Sequence, residues 1–171
     1  MFDFSKFIDV GNSLSNIDNE EYARSAIGRY YYSVFGCARV YLIFIMGEND
    51  FRGYGNIHSK LCDRLRQSDD DTESRVGMTL EKLRQLRNLA DYDWDDGNQY
   101  FFKKRMDFVR KESEVALTQI DALKKSPPFG YKIHLRKVHC MSFECYFFLI
   151  LEMLHLHCKI DPKPQPLYTN K

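Results

Sequence analysis

Apolar residues recur every three or four positions through most of the first 125 residues, and almost nothing alternates with the two-residue period of a strand. Phe4, Phe7, Ile8 and Leu14 predict a short opening helix that stops near Ser13–Asn16. A second, much longer helix is predicted from about Glu20 to Met46, capped by Asp18 or Asn19 and stopped at Gly47. Such a helix would span roughly 40 Å. It carries two apolar rows: Ile27, Tyr31, Val34, Ala38, Tyr41 and Ile45, then Tyr22, Ala26, Tyr30, Ser33, Cys37, Val40 and Phe44. A helix apolar on two sides is central and touches several neighbours. The small residues Ala26, Ser33 and Gly36 would let another helix come close, one from a second subunit included.

Gly47–Gly55 reads as a loop, followed by a short helix from about Ile57 to Gln67 and the acidic turn Asp69-Asp70-Asp71. Asp71 or Thr72 is the expected cap of a helix that ends near Trp94, and Asp95-Asp96-Gly97-Asn98 is a turn signal. In the next helix Phe102, Met106, Val109, Ser113, Ala116, Ile120 and Leu123 keep a seven-residue repeat. Lys103, Lys104, Arg105, Arg110 and Lys111 fall on its other faces, as a solvated surface or as phosphate contacts. Ser126-Pro127-Pro128-Phe129-Gly130 ends it. Residues 1–125 therefore read as an all-α, up-and-down bundle of about five helices with short connections.

From Tyr131 the composition changes, and residues 126–171 form a separate Cys/His- and aromatic-rich tail. Phe143–Leu156 is strongly apolar but contains Glu144 and Glu152, which suits a docking tail helix and not a membrane span. Cys140, Cys145, His155, His157 and Cys158 suggest zinc, yet no paired CxxC occurs and their spacing fits no standard ligand pattern, so no metal is expected. Pro162, Pro164 and Pro166 exclude a regular helix at the end.

Charge narrows the range of partners. Twenty-five Lys and Arg against 24 Asp and Glu give a net charge of +1, so nucleic-acid binding would need a local patch. The start Met1-Phe2-Asp3-Phe4 lacks the basic and apolar pattern of a secretory signal. With five cysteines, an odd number, a reducing cytoplasmic setting with free thiols is the expectation.

The helix ending near Trp94 breaks its own pattern. Leu80, Leu83, Ala90 and Trp94 make its apolar row, and Arg87 falls in that row beside Asn88, Asp91 and Tyr92. A guanidinium there needs a partner or a water-filled cleft. Arg87 and Asp91 are four apart and can pair on one helix face. Asn88 and Tyr92 could bind a base or a backbone phosphate, or satisfy each other. His58, the only histidine of the bundle, is either exposed at the start of its helix or a proton shuttle packed over Arg87. Arg29, in the middle of the long helix, needs a carboxylate or an anion, with Asp91 the expected candidate. Tyr30, Tyr31 and Tyr32 are expected to be core and interface aromatics.

Two segments resemble the HEPN superfamily. The stretch from Arg24 to Arg39, with Tyr30-Tyr31-Tyr32 followed by small and apolar residues, resembles the long second HEPN helix. Arg87-Asn88-Leu89-Ala90-Asp91-Tyr92 resembles the Arg-x-x-Ala-Asp-Tyr signature of a prokaryotic branch, and His58 lies where that branch commonly has a histidine. The resemblance covers about residues 5–125. It implies a helical bundle that dimerises, either accompanying a nucleotidyltransferase or acting as a metal-independent ribonuclease in toxin–antitoxin, CRISPR-associated or antiphage systems. The partners it implies are a second copy, RNA or a nucleotide, and a nucleotidyltransferase or other defence protein, with no cofactor and no membrane. The site residues it implies are Arg87, Asn88, Asp91 and Tyr92, with His58 as acid or base. The family's usual histidine, four to six residues beyond the polar residue that follows the arginine, is absent, since those positions hold Tyr92, Asp93 and Trp94.

Overall fold

A computed structural model describes residues 2–53, 55–93 and 99–126 of the chain. Trp94, the turn at 95–98, the expected tail helix and the cysteines and histidines of the tail lie outside the described residues. After a 3-10 turn at Phe4–Lys6 come α1 (Phe7–Ser15), α2 (Glu20–Val40, extended by a π-helical segment Tyr41–Ile45), α3 (Ile57–Arg66), α4 (Asp71–Tyr92) and α5 (Gln99–Lys125). The fold is an all-α bundle, with no strand among the described residues. The α2 helix packs on α1, α4 and α5, while α4 also touches α3 and α5.

Local chemistry sets the helix ends. Asn19 caps α2, its side chain accepting the Glu21 N–H at 3.1 Å. The cap of α4 is Asp70, one residue before the expected pair, and its carboxylate accepts the N–H groups of Thr72 and Glu73 at 2.9 Å each. Asp70 is extended at φ −81°, ψ 119°, the cap conformation, whereas Asp71 is already helical. At the far end of α2 the Met46 N–H reaches back five residues to the Tyr41 carbonyl at 3.1 Å, the signature of a π turn. Gly47 then leaves the helix at φ +73°, a left-handed conformation that glycine adopts without steric cost.

The first apolar row of α2 is buried from Ile27 through Tyr41. The second is buried in its middle, but its ends emerge, with Tyr22 40% and Phe44 46% exposed. Gly36 is occupied from within the chain: a Cβ there would lie 2.2 Å from the Phe4 ring, so the N-terminal turn takes the place expected for a second subunit. Gly28, by contrast, has none of the described residues within 4 Å of its Cβ position. All seven heptad residues of α5 are buried. Arg110 departs from the expected solvated face, donating to the Tyr30 hydroxyl at 3.2 Å and to Ser15 at 2.8 Å. Tyr30 in turn donates to Asn12 at 2.7 Å, so one polar cluster joins α1, α2 and α5.

Two features hold α3 and α4 in place. Glu73 is fully buried and accepts hydrogen bonds from the Tyr41 hydroxyl and from Arg64, the latter at 3.0 Å. Arg64 also pairs with Glu48 at 2.6 Å, so one guanidinium compensates the buried carboxylate and ties the segment after α2 to α4. At Gly77 the backbones of α3 and α4 almost touch: a Cβ would sit 2.5 Å from the Arg66 nitrogen. This close approach fixes His58, on α3, relative to Arg87, on α4. No described helix is long and apolar enough to cross a membrane.

Candidate functional site

The C-terminal end of α4 is tied down by Arg24 of α2. The Arg24 guanidinium donates to the carbonyls of Ala90 (3.0 Å) and Asp93 (2.7 Å) at the end of that helix. It also pairs with Glu20 at 2.7 Å and lies 4.5 Å from the centre of the Phe102 ring. The last turn of α4, which carries Asn88, Asp91 and Tyr92, is therefore held where a helix end would otherwise fray.

Arg87 is withdrawn from solvent, its side chain 19% exposed. Its guanidinium carbon lies 5.5 Å from the centre of the Tyr32 ring on α2 and 5.5 Å from that of Tyr92, and both ring faces attract a cation. Nε is 2.6 Å from an Asp91 oxygen, yet the N–H does not aim at it. The two groups are thus ionic neighbours without a directed hydrogen bond, and a buried donor is left over. Asn88 accepts from Nη1 of Arg87 at 3.3 Å instead of pairing with Tyr92. Asp91 was the expected partner of Arg29, but Arg87 takes it, because a pair one turn apart on a single helix needs no second backbone brought into register. Arg29 is exposed and lies 5.4 Å from the Phe7 ring centre.

His58 is half-buried, not a free histidine at a helix start. Its Nδ1 is 2.7 Å from the Tyr31 hydroxyl, and its ring stacks on Phe35 at 4.3 Å and meets Tyr32 edge-on at 6.1 Å. Burial, and then the positive charges of Arg87, Arg84 and Arg39, hold its pKa below the ordinary 6.5, so the imidazole is neutral at neutral pH. Burial also raises the Tyr31 phenol above its usual range, so both members of the pair stay uncharged. A neutral imidazole beside guanidinium groups can accept a proton while the cations stabilise negative charge on a reacting oxygen.

Tyr32 joins the two halves, touching Arg87 with its ring and His58 with its edge. Sequence reasoning overlooked Arg84, which pairs with Glu81 at 2.9 Å and contributes to the field around His58. The signal was present, since Arg84 lies one turn before Arg87 on the same helix. Also overlooked was a shallow groove lined by Gln85, Asn88, Leu89, Tyr92 and Asp93. Among the described residues no three His, Cys, Asp or Glu side chains gather as a metal site. Cys37 and Cys62 are free and buried, and burial pushes their thiols up to about 11 and about 12, which keeps them protonated.

No known family profile matches the chain, and no solved structure does. An uncharacterized protein of Methanocaldococcus jannaschii is similar to it, with 31% identity over 111 residues. The match covers 56% of this chain and 63% of that relative, so the chain spans less than two thirds of the relative's length.

Proposed function

We propose that this chain is a HEPN-type component of a prokaryotic toxin–antitoxin or antiphage system, acting on or binding RNA at a cleft completed by a second copy. The observation that carries this reading is Arg87, a guanidinium held between Tyr32 and Tyr92 and braced by Asp91, whose side chain keeps 19% of its surface open. A phosphate oxygen is the natural acceptor for such a fork. In this reading His58 takes the proton from a ribose 2′-hydroxyl as that oxygen bonds to the adjacent phosphorus and the P–O5′ bond breaks, giving a 2′,3′-cyclic phosphate and a 5′-oxygen that takes a proton from water. Arg87 and Arg84 stabilise the charge on the phosphate oxygens. Asp91 fixes the Arg87 side chain, and Asn88 with Tyr92 holds the nucleotide. The space at Gly28 beside Tyr32, unfilled by any described residue, supports a second subunit at this face.

A second reading rests on a specific observation. Leu89 is 38% and Tyr92 70% exposed, and Arg87 already has Asp91 beside it. Such a surface also suits a non-catalytic module that docks onto a protein partner, for example a nucleotidyltransferase. Incubating the purified chain with single-stranded RNA, with and without EDTA, separates the two. Cleavage that survives EDTA and disappears in Arg87→Ala and His58→Gln supports catalysis; intact RNA in every lane together with no RNA bound supports the docking module. The mass in solution by light scattering tests the dimer, and a single-chain mass at high concentration contradicts it.

A further inference from the structure

We propose that the groove formed by Gln85, Asn88, Leu89, Tyr92 and Asp93 is a subsite for one unpaired base of the bound RNA, with adenine preferred. This inference rests on the RNA reading above. The groove continues from Arg87, which touches two of its residues, so a strand whose phosphate reaches Arg87 would bring a neighbouring base to it.

The two amides of the groove are oriented by their own helix. Gln85 donates its NH2 group to Glu81 at 3.0 Å, and its carbonyl oxygen accepts from none of the described residues, which leaves it as an acceptor for a ligand. Asn88 uses its carbonyl oxygen to accept from Arg87 at 3.3 Å, and its NH2 group has no acceptor among the described residues, which leaves it as a donor for a ligand. An acceptor and a donor one helical turn apart match a base edge that offers an amine beside a ring nitrogen. Adenine presents that combination through its N6 amine and N7, whereas the corresponding edge of guanine offers two acceptors and would leave the Gln85 oxygen facing another oxygen. Tyr92, 70% exposed, has Arg87 near its ring and area left for a second stacking partner. A purine covers more of that ring than a pyrimidine does. Leu89 adds an apolar floor.

The test uses the full chain and two fluorescein-labelled heptamers, r(UUUAUUU) and r(UUUUUUU), titrated by anisotropy under conditions where RNA is not cleaved. The wild type is expected to bind the adenine-containing strand about tenfold more tightly, the scale of one stacked and hydrogen-bonded base. Tyr92→Ala and Gln85→Ala are each expected to reduce that ratio to below about twofold. Equal binding of both strands by the wild type, or a ratio unchanged in Tyr92→Ala, overturns the subsite; if Arg87→Ala still weakens both strands, the RNA reading survives that failure. Binding of neither strand at any protein concentration removes the RNA reading and the subsite together.

Discussion

Replacing Gly77 by alanine should weaken the protein, although alanine is the better helix former. The new Cβ would lie 2.5 Å from the Arg66 nitrogen and 2.8 Å from the Leu65 carbonyl carbon, nearly an ångström inside ordinary van der Waals contact. Both atoms belong to the α3 backbone, so no side chain can swing aside to make room. Overpacking costs about 1–3 kcal/mol, and a clash with backbone that cannot swing aside takes the upper part of that range, about 2–3 kcal/mol. Exchanging a mid-helix glycine for alanine returns about 1 kcal/mol. The expected net loss is about 1–2 kcal/mol, read from urea unfolding with an unchanged slope. Because α3 must move away from α4, the environment of His58 should change as well, giving a second readout by imidazole NMR. A Gly77→Ala protein as stable as the wild type, or more stable, would refute the close approach of these two backbones.

Three further outcomes follow from named contacts. His58 has its folded pKa held below 6.5, so below about pH 6.5 the unfolded chain takes up the proton first and stability falls with pH. Comparing the pH dependence of unfolding of the wild type and His58→Gln isolates this contribution, and superimposable slopes between pH 5 and 6.5 would contradict it. Arg24→Met keeps contact with Phe102 but removes the cap on α4; it should cost about 1–3 kcal/mol and raise hydrogen exchange at the end of that helix before the rest. Ser113 has a buried hydroxyl without a partner among the described residues, so Ser113→Ala should leave stability unchanged or raise it by up to about 1 kcal/mol in the same unfolding assay.

The bundle was legible because helix periodicity is a local property. The heptad of α5 predicted seven buried positions, and all seven are buried, because a solvated helix needs little beyond a continuous apolar stripe to fix its orientation. The site was only partly legible. The Arg87–Asp91 pair follows from spacing along one helix, and the structure contains it. That Arg87 lies against Tyr32, and that His58 pairs with Tyr31, depends on the angle at which α2, α3 and α4 cross, which no periodicity records. Gly36 shows the same limit from the other side: a small residue marks a close approach but does not say which chain segment makes it, and here Phe4 does. Arg110 was assigned to solvent because it belongs to a basic run, yet buried Tyr30 provides it with a polar partner across the bundle.

The central claim is that the shielded guanidinium of Arg87 engages an RNA phosphate, and it is tested most directly by titrating a labelled single-stranded RNA onto wild-type, Arg87→Lys and Arg87→Ala proteins at low and moderate salt. The account predicts saturable binding by the wild type, a loss of at least about tenfold in Arg87→Ala, and only partial recovery in Arg87→Lys, since an ammonium restores the charge without the planar fork. Titration curves that coincide for all three proteins would contradict it.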